Sequence, residues 1–299
     1  MSTLSHLHAR KLEKRSGCKV NLLLNILGKR VDGFHELETV MLPVPVYDHL
    51  TFSRGGDAIE LECNLPGLPV DSRNLVHRAA ERFLATAHIE EGVRITLEKA
   101  IPLAAGLGGG SGNAACTVLA LNELFGSPLA HDALVGIAAT LGSDIPFFLQ
   151  DKPALGTGRG ENITSLEPFP ALTGAALVLI HPGFGISTPW AYQQLARFPE
   201  ALHGRPGRAQ PLLSRFAEGN LNAAGRELYN SLEAPALQKY PILRLYQDFF
   251  RREGAAGTLM SGSGSTTFAI AANVATAEGM AEGFKAEFGD SGWVRVVAL

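Results

Sequence analysis

Hydrophobic and polar positions alternate between two periods along this chain. Lys19–Leu27 is an apolar run broken only by Lys19, Asn21 and Asn25, and it reads as a strand. Val40–Val46, Asp48–Ser53 and the alternating Val93–Glu98 read as further strands. In Asn74–Ala87 the period lengthens: Leu75, Ala79, Phe83 and Leu84 share one helical face. Helices are also expected at about Ser111–Phe125 and at His131–Leu141, the latter stopped by Gly142. Beyond the glycine-interrupted stretch Asp151–Gly160, strands are predicted at Ala175–His181, Thr258–Met260, Thr267–Ala271 and Trp293–Val297. Helices are predicted at Thr188–Phe198, Leu212–Leu232, Tyr240–Glu253 and Thr276–Phe288. Strands and helices mix without a regular βαβ repeat, which implies an α+β fold with a divide near residues 155–165.

One segment breaks both periods. Pro102–Ala115 places Gly106, Gly108, Gly109, Gly110 and Gly112 directly ahead of an Ala/Leu-rich helix. Glycine permits positive φ and close approach of a ligand, and a helix start offers free N–H groups and positive potential. Together they make an anion cradle, most often for phosphate. No lysine follows the glycines, so this is not a P-loop. Ser111 stands where a dinucleotide fingerprint needs its third glycine, which argues against a Rossmann dehydrogenase.

Composition narrows the classes. The 299 residues suffice for two domains. A formal net charge of -3 argues against a general nucleic-acid binder. Cys18, Cys63 and Cys116 have no metal or disulfide spacing and read as reduced thiols of a cytoplasmic protein. The longest clean apolar run, Ala175–Ile180, is far too short for a membrane span, and the basic residues near the start precede no apolar signal region. Residues 1–16 are expected to form a flexible tail.

Three polar features bear on the glycine segment. Lys19 and Asn21 alternate on an apolar strand and so face the same way. Asp144, after Gly142, is placed to accept a proton from a substrate hydroxyl, although an N-capping aspartate gives the same pattern. His35, in Gly33-Phe34-His35-Glu36, offers a donor and an acceptor nitrogen for reading a ligand. Phosphates on the loop, a carboxylate at the attacking hydroxyl and a lysine for the developing charge make a phosphotransferase.

The lysine strand, the Pro-x-x-x-Gly-Leu-Gly-Gly-Gly-Ser loop and Met260-Ser261-Gly262-Ser263-Gly264-Ser265 closely resemble the GHMP kinase superfamily. Within it, Gly28-Lys29-Arg30-Val31-Asp32-Gly33-Phe34-His35-Glu36-Leu37, Asp71-Ser72-Arg73-Asn74-Leu75-Val76 and Gly142-Ser143-Asp144-Ile145-Pro146-Phe147 resemble the kinases of 4-diphosphocytidyl-2-C-methyl-D-erythritol. The resemblance implies an S5-like N-terminal domain (17–158) that binds ATP and a ferredoxin-like C-terminal domain (159–299). It also implies ATP, Mg²⁺ and a small-molecule substrate phosphorylated on its 2-hydroxyl, in a monomer or weak homodimer without membrane or nucleic-acid partners. Lys19 and Asp144 match the catalytic pair. Asn74, Leu75 and Lys99 fall near the nucleotide, whose phosphates are wrapped by Pro102, Leu103, Ala104, Ala105, Gly106, Leu107, Gly108, Gly109, Gly110, Ser111 and Gly112. Asn21, Phe34, His35 and Tyr192 fall on the substrate side, with His35 reading the cytosine edge and Phe34 replacing the usual tyrosine. Two further sites near the glycine segment and the lysine depart from the family pattern. Gly112 replaces a serine, and Gly17-Cys18 replaces Pro-Ala before the lysine. No metal ligand is assigned.

Overall fold

A computed structural model describes residues 11–290 and 292–299. The chain opens with two long strands, β1 (Lys11–Lys29) and β2 (His35–Arg54), followed by β3 (Ile59–Cys63), helix α1 (Leu75–Thr86) and β4 (Val93–Glu98). Helices α2 (Gly109–Leu124) and α3 (His131–Leu141) come next, then strands β5 (Ala154–Thr157), β6 (Asn162–Ser165) and β7 (Ala176–His181). A helical stretch holds α4 (Thr188–Gln194), α5 (Pro199–Leu202), α6 (Ala209–Ala217) and α7 (Leu221–Arg226). The rest is β8 (Tyr229–Asn230), α8 (Glu233–Lys239), α9 (Ile242–Arg252), β9 (Gly257–Met260), β10 (Thr267–Ala271), α10 (Val274–Phe288) and β11 (Trp293–Ala298).

The chain forms two compact units that interleave in sequence. Among the described residues, one comprises 11–17, 46–101 and 109–150, and the other 18–45, 102–108, 151–290 and 292–299. These units differ from the expected division at 158/159, since β1 passes from one to the other at 17/18 and β2 at 45/46. The tail expected over 1–16 is corrected too. Residues 11–16 belong to β1, and residues 1–10 lie outside those described.

In the first unit β3 and β4 are parallel and are joined by α1, as a parallel pair requires. β4 pairs antiparallel with His49–Arg54 of β2. Phe52, Phe83, Ile95, Leu121 and Ile145 are among the buried residues that fill its core. Helix α1 starts where expected because the Asn74 side chain accepts the Val76 N–H at 2.9 Å. Just before it, hydrogen bonding from Arg73 pulls the Asp71 carboxyl down to about 2.

In the second unit β7, β9, β10 and β11 form an antiparallel sheet in the order β11-β7-β10-β9, the ferredoxin-like order. Val178, Ile180, Leu243, Phe250 and Phe284 sit in its core. A second sheet region holds β1 between β2 and the short β8, and the β5–β6 hairpin pairs with Thr39–Met41 of β2.

Several elements differ from the sequence prediction. The two strands predicted over 40–53 are one, since Pro43 and Pro45 lie between the segments paired with β5 and β4 and interrupt neither ladder. Residues 212–232 form two short helices and a strand, broken at Gly219, whose φ is 74°. The glycines after Asp151 make the tight turn of the β5–β6 hairpin, with Gly158 at φ 72° and Gly160 at φ 106°. No helix among the described residues is long and apolar enough to cross a membrane.

Candidate active site

In the second unit, the glycine segment is seated against the loop Ser261–Ser265. Gly106 has φ 76°, and a Cβ on it would stand 2.0 Å from the Ser261 carbonyl oxygen, so only glycine fits. The Thr266 N–H donates to the Ala105 carbonyl at 3.1 Å, and the Lys19 N–H donates to the Leu107 carbonyl at 2.9 Å. The Ser261 hydroxyl donates to the Gly106 carbonyl at 2.9 Å.

Lys19 is 3 % exposed. Its Nζ donates to Asn21 Oδ1 at 2.5 Å and to the Gly106 carbonyl at 3.2 Å. Asn21 Nδ2 in turn donates to Thr39 Oγ1 at 2.9 Å. The shared face expected for Lys19 and Asn21 is therefore present, and the buried ammonium is held by polar partners, as a buried charge must be.

The turn Arg30–Phe34 presents His35. Gly33 takes φ 86°, Asp32 Oδ1 accepts the Phe34 N–H at 3.1 Å, and Arg30 bridges Asp32 and Glu36. The His35 and Tyr192 rings lie 5.0 Å apart at 39°. Phe34 is half exposed, and the Arg159 guanidinium lies 4.7 Å from its ring centre. Burial, helped by the charge of Lys29, lowers the His35 pKa below its ordinary value, so the imidazole is neutral at pH 7 and keeps both a donor and an acceptor.

In the first unit, α2 begins at Gly109 with no acidic residue in its first turn. Leu75 and Lys99 lie at this helix start, and Asn74 caps α1 one residue before Leu75. A Cβ on Gly110 would meet Leu75 Cδ1 at 3.7 Å, and one on Gly109 would meet Lys99 Nζ at 3.3 Å. Lys99 is itself buried. Its ammonium pairs with Asp48 and donates to Asn113 Oδ1 at 3.0 Å. Asp48 Oδ1 accepts the N–H groups of Ala100 and Ile101, and Oδ2 accepts Asn113 Nδ2 at 2.9 Å. Asp48 and Asn113 carried no motif; their role follows only from these contacts. Asp144 sits half-buried on the turn after α3, in the first unit. The following 3₁₀ turn takes Ile145 as its N-cap without a side-chain bond, so Asp144 is not that cap.

Residues 74–152 match the GHMP kinases N terminal domain, and residues 212–290 match GHMP kinases C terminal. The 4-diphosphocytidyl-2-C-methyl-D-erythritol kinase of Syntrophus aciditrophicus (strain SB) is 44% identical over 262 residues, covering 86% of this chain and 89% of that protein. That of Acaryochloris marina (strain MBIC 11017) is 40% identical over 278 residues, covering 89% of each. The chain belongs to this kinase family. A crystal structure of 4-(cytidine 5'-diphospho)-2C-methyl-D-erythritol kinase superposes with a TM-score of 0.78 at 34% identity, covering 96% of this chain and all of that one. A homoserine kinase from Cytophaga hutchinsonii ATCC 33406 reaches 0.76 at 20% identity, covering 100% of this chain and 97% of that one, and shares the fold. The chain is thus an ATP-dependent small-molecule kinase of the two-domain α+β fold.

The two departures from the family pattern touch each other. A Cβ on Gly112 would lie 2.5 Å from the Gly17 carbonyl oxygen and 3.0 Å from Ser16 Oγ. A serine at 112 has no room while β1 holds this course. Ser16, 3 % exposed, places its own hydroxyl there and accepts Asn113 Nδ2 at 3.0 Å. Among the cysteines, burial pushes the Cys116 thiol up to about 12, which makes it unreactive.

Two outcomes follow for urea unfolding. Gly112→Ser should cost about 1–3 kcal/mol of stability, because the obstacle is backbone. Lys99→Met should cost about 3–5 kcal/mol, because it leaves the Asp48 charge buried and unpaired. Wild-type midpoints would contradict each.

Proposed function

We propose that this chain transfers the γ-phosphoryl group of ATP to the 2-hydroxyl of 4-diphosphocytidyl-2-C-methyl-D-erythritol. The observation that carries the substrate assignment is the neutral His35 beside Tyr192 on the Asp32–Phe34 turn. A neutral imidazole matches the donor and acceptor edge of an uncharged base, and an adjacent aromatic ring offers a stacking face. Asn21 and Phe34 complete the substrate side in this reading.

The nucleotide lies with its phosphates along Pro102–Gly112 and its base toward Asn74, Leu75 and Lys99. The segment fits that group: Gly106 and Gly108 have positive φ, and α2 opens with free N–H groups. The acceptor hydroxyl oxygen bonds to Pγ while the bond from Pγ to the β,γ-bridging oxygen breaks and ADP leaves. Asp144 takes the hydroxyl proton, and Lys19 stabilises the charge that develops on the acceptor oxygen. Phosphoryl transfer asks mainly for positioning and charge neutralisation, so this short set of groups suffices.

Among the described residues no group of three His, Cys, Asp or Glu side chains is arranged to hold a metal ion. In this reading Mg²⁺ would accompany the ATP phosphates and supply charge neutralisation there. In this reading the chain acts as a cytoplasmic monomer or weak homodimer.

The decisive assay is mass spectrometry of the products formed from ATP, Mg²⁺ and the cytidyl alcohol, with homoserine, mevalonate and galactose in parallel. One added phosphoryl group on the cytidyl alcohol alone is expected. Turnover of another alcohol instead would remove the cytosine site. Asp144→Asn should lower kcat by roughly 10²–10⁴-fold with nucleotide binding intact, and an undiminished kcat would remove the base. The KM for the cytidyl substrate should stay flat through neutral pH. It should rise only below the ordinary imidazole range, as His35 gains its proton and loses its acceptor. His35→Ala should raise that KM at all pH values and abolish the acid limb, while the KM for ATP stays unchanged.

A further inference from the structure

The loop Ser261–Ser265 is held from below by residues that no motif marked. Asn230, on the two-residue strand β8, is 3 % exposed. Its Nδ2 donates to the carbonyls of Met260 and Gly262, each at 2.7 Å, and its Oδ1 accepts the Leu232 N–H at 2.9 Å. One side-chain amide thus closes the turn by tying both sides of Ser261. Glu233, at the start of α8, accepts the Met260 N–H at 2.7 Å and Gln247 Nε2 at 2.5 Å. β8 is fixed to the lysine strand by the parallel pairs Leu23 with Tyr229 and Leu24 with Asn230.

What the clamp holds in place is the surroundings of Lys19. Gly262 has φ 55°, and a Cβ on it would stand 3.0 Å from the Gly106 carbonyl oxygen, 3.2 Å from Asn21 Oδ1 and 3.4 Å from Lys19 Nζ. Ser261 Oγ accepts the Asn21 N–H at 3.3 Å and donates to the same Gly106 carbonyl that receives the Lys19 ammonium. Lys19, Asn21, Gly106 and Gly262 therefore share one packed corner, and Asn230 fixes Gly262.

We propose that Asn230 is a positioning residue for Lys19. Its amide holds Gly262 where the Lys19 ammonium keeps its aim during phosphoryl transfer. The proposal rests on the kinase reading above only for the reaction in which it is measured. Asn230 is buried beneath the loop with its amide spent on backbone groups, so its effect is expected in kcat rather than in binding. Asn230→Asp keeps the shape but turns an oxygen toward two carbonyls, and Asn230→Ser keeps a single short donor. A misplacement of about 1 Å at such a corner costs roughly 10²-fold in rate.

The test measures kcat and KM for Asn230→Asp and Asn230→Ser, each alone and combined with Lys19→Met, on variants whose melting curves show a cooperative fold. The expected result is a fall in kcat of roughly 10–10²-fold with little change in either KM, and no further loss when Lys19 is already replaced. Losses that multiply with that of Lys19→Met, or an unchanged kcat, would overturn the proposal. A second measurement needs no substrate: the Cε–Hε NMR resonance of Lys19 in lysine-labelled protein, assigned through Lys19→Arg. It should shift in both Asn230 variants, and a resonance that stays in place would overturn the proposal even if the wild type phosphorylated none of the alcohols tried. A shifted resonance with no turnover of any alcohol would leave Asn230 as the residue that positions Lys19 and would remove the substrate reading instead.

Discussion

Gly106 lies against the Ser261 carbonyl so closely that a single methyl group there would stand 2.0 Å from it. The second unit depends on that approach. It lets Ser261 Oγ and Lys19 Nζ meet on one carbonyl, that of Gly106, and it brings Gly262 against Asn21. The corner gives the buried Lys19 Nζ two oxygen partners, Asn21 Oδ1 from its own strand and the Gly106 carbonyl from the glycine loop, as a buried polar group requires. Neither loop is rigid by composition. They become so because each supplies the hydrogen-bond partners that the other lacks.

The first unit solves a similar problem by other means. The start of α2 needs glycine for approach, and glycine weakens a helix. Compensation comes from beneath, where Asp48 gathers two backbone N–H groups, the Asn113 amide and the Lys99 ammonium. A buried ion pair of this sort adds little net stability, but it leaves few alternative arrangements for the groups around it. The contact of Gly112 with the Gly17 carbonyl belongs to the same device. It turns two departures from the family pattern into one matched pair, with the Ser16 hydroxyl in the space a larger residue at 112 would claim.

The His35 turn is held by little scaffold. Asp32 and Gly33 shape it, Arg159 covers Phe34, and partial burial keeps the imidazole neutral.

The sequence alone determined which residue types are available for the proposed chemistry: the glycine segment, the strand with Lys19 and Asn21, Asp144 after its glycine, and the Asp-Gly-Phe-His turn are all local patterns. Long periodic elements were legible as well, and Val93–Glu98, His131–Leu141 and Thr267–Ala271 have the bounds expected of them. The single long helix read over 212–232 was not there, because Gly219 and the short pairing of β8 with β1 outweigh helical periodicity. Only the tertiary structure decided the partners: Asp48 for Lys99, Gly17 for Gly112, Tyr192 for His35, and Asn230 for Met260 and Gly262. These groups are separated by 30 to 157 positions in all but the Lys99 neighbourhood's nearest pair, Lys99 with Asn113. Hydrogen bonds and close approaches over such distances leave no periodic trace in a sequence, since they depend on where the packed backbone brings a group and not on what stands beside it in the chain.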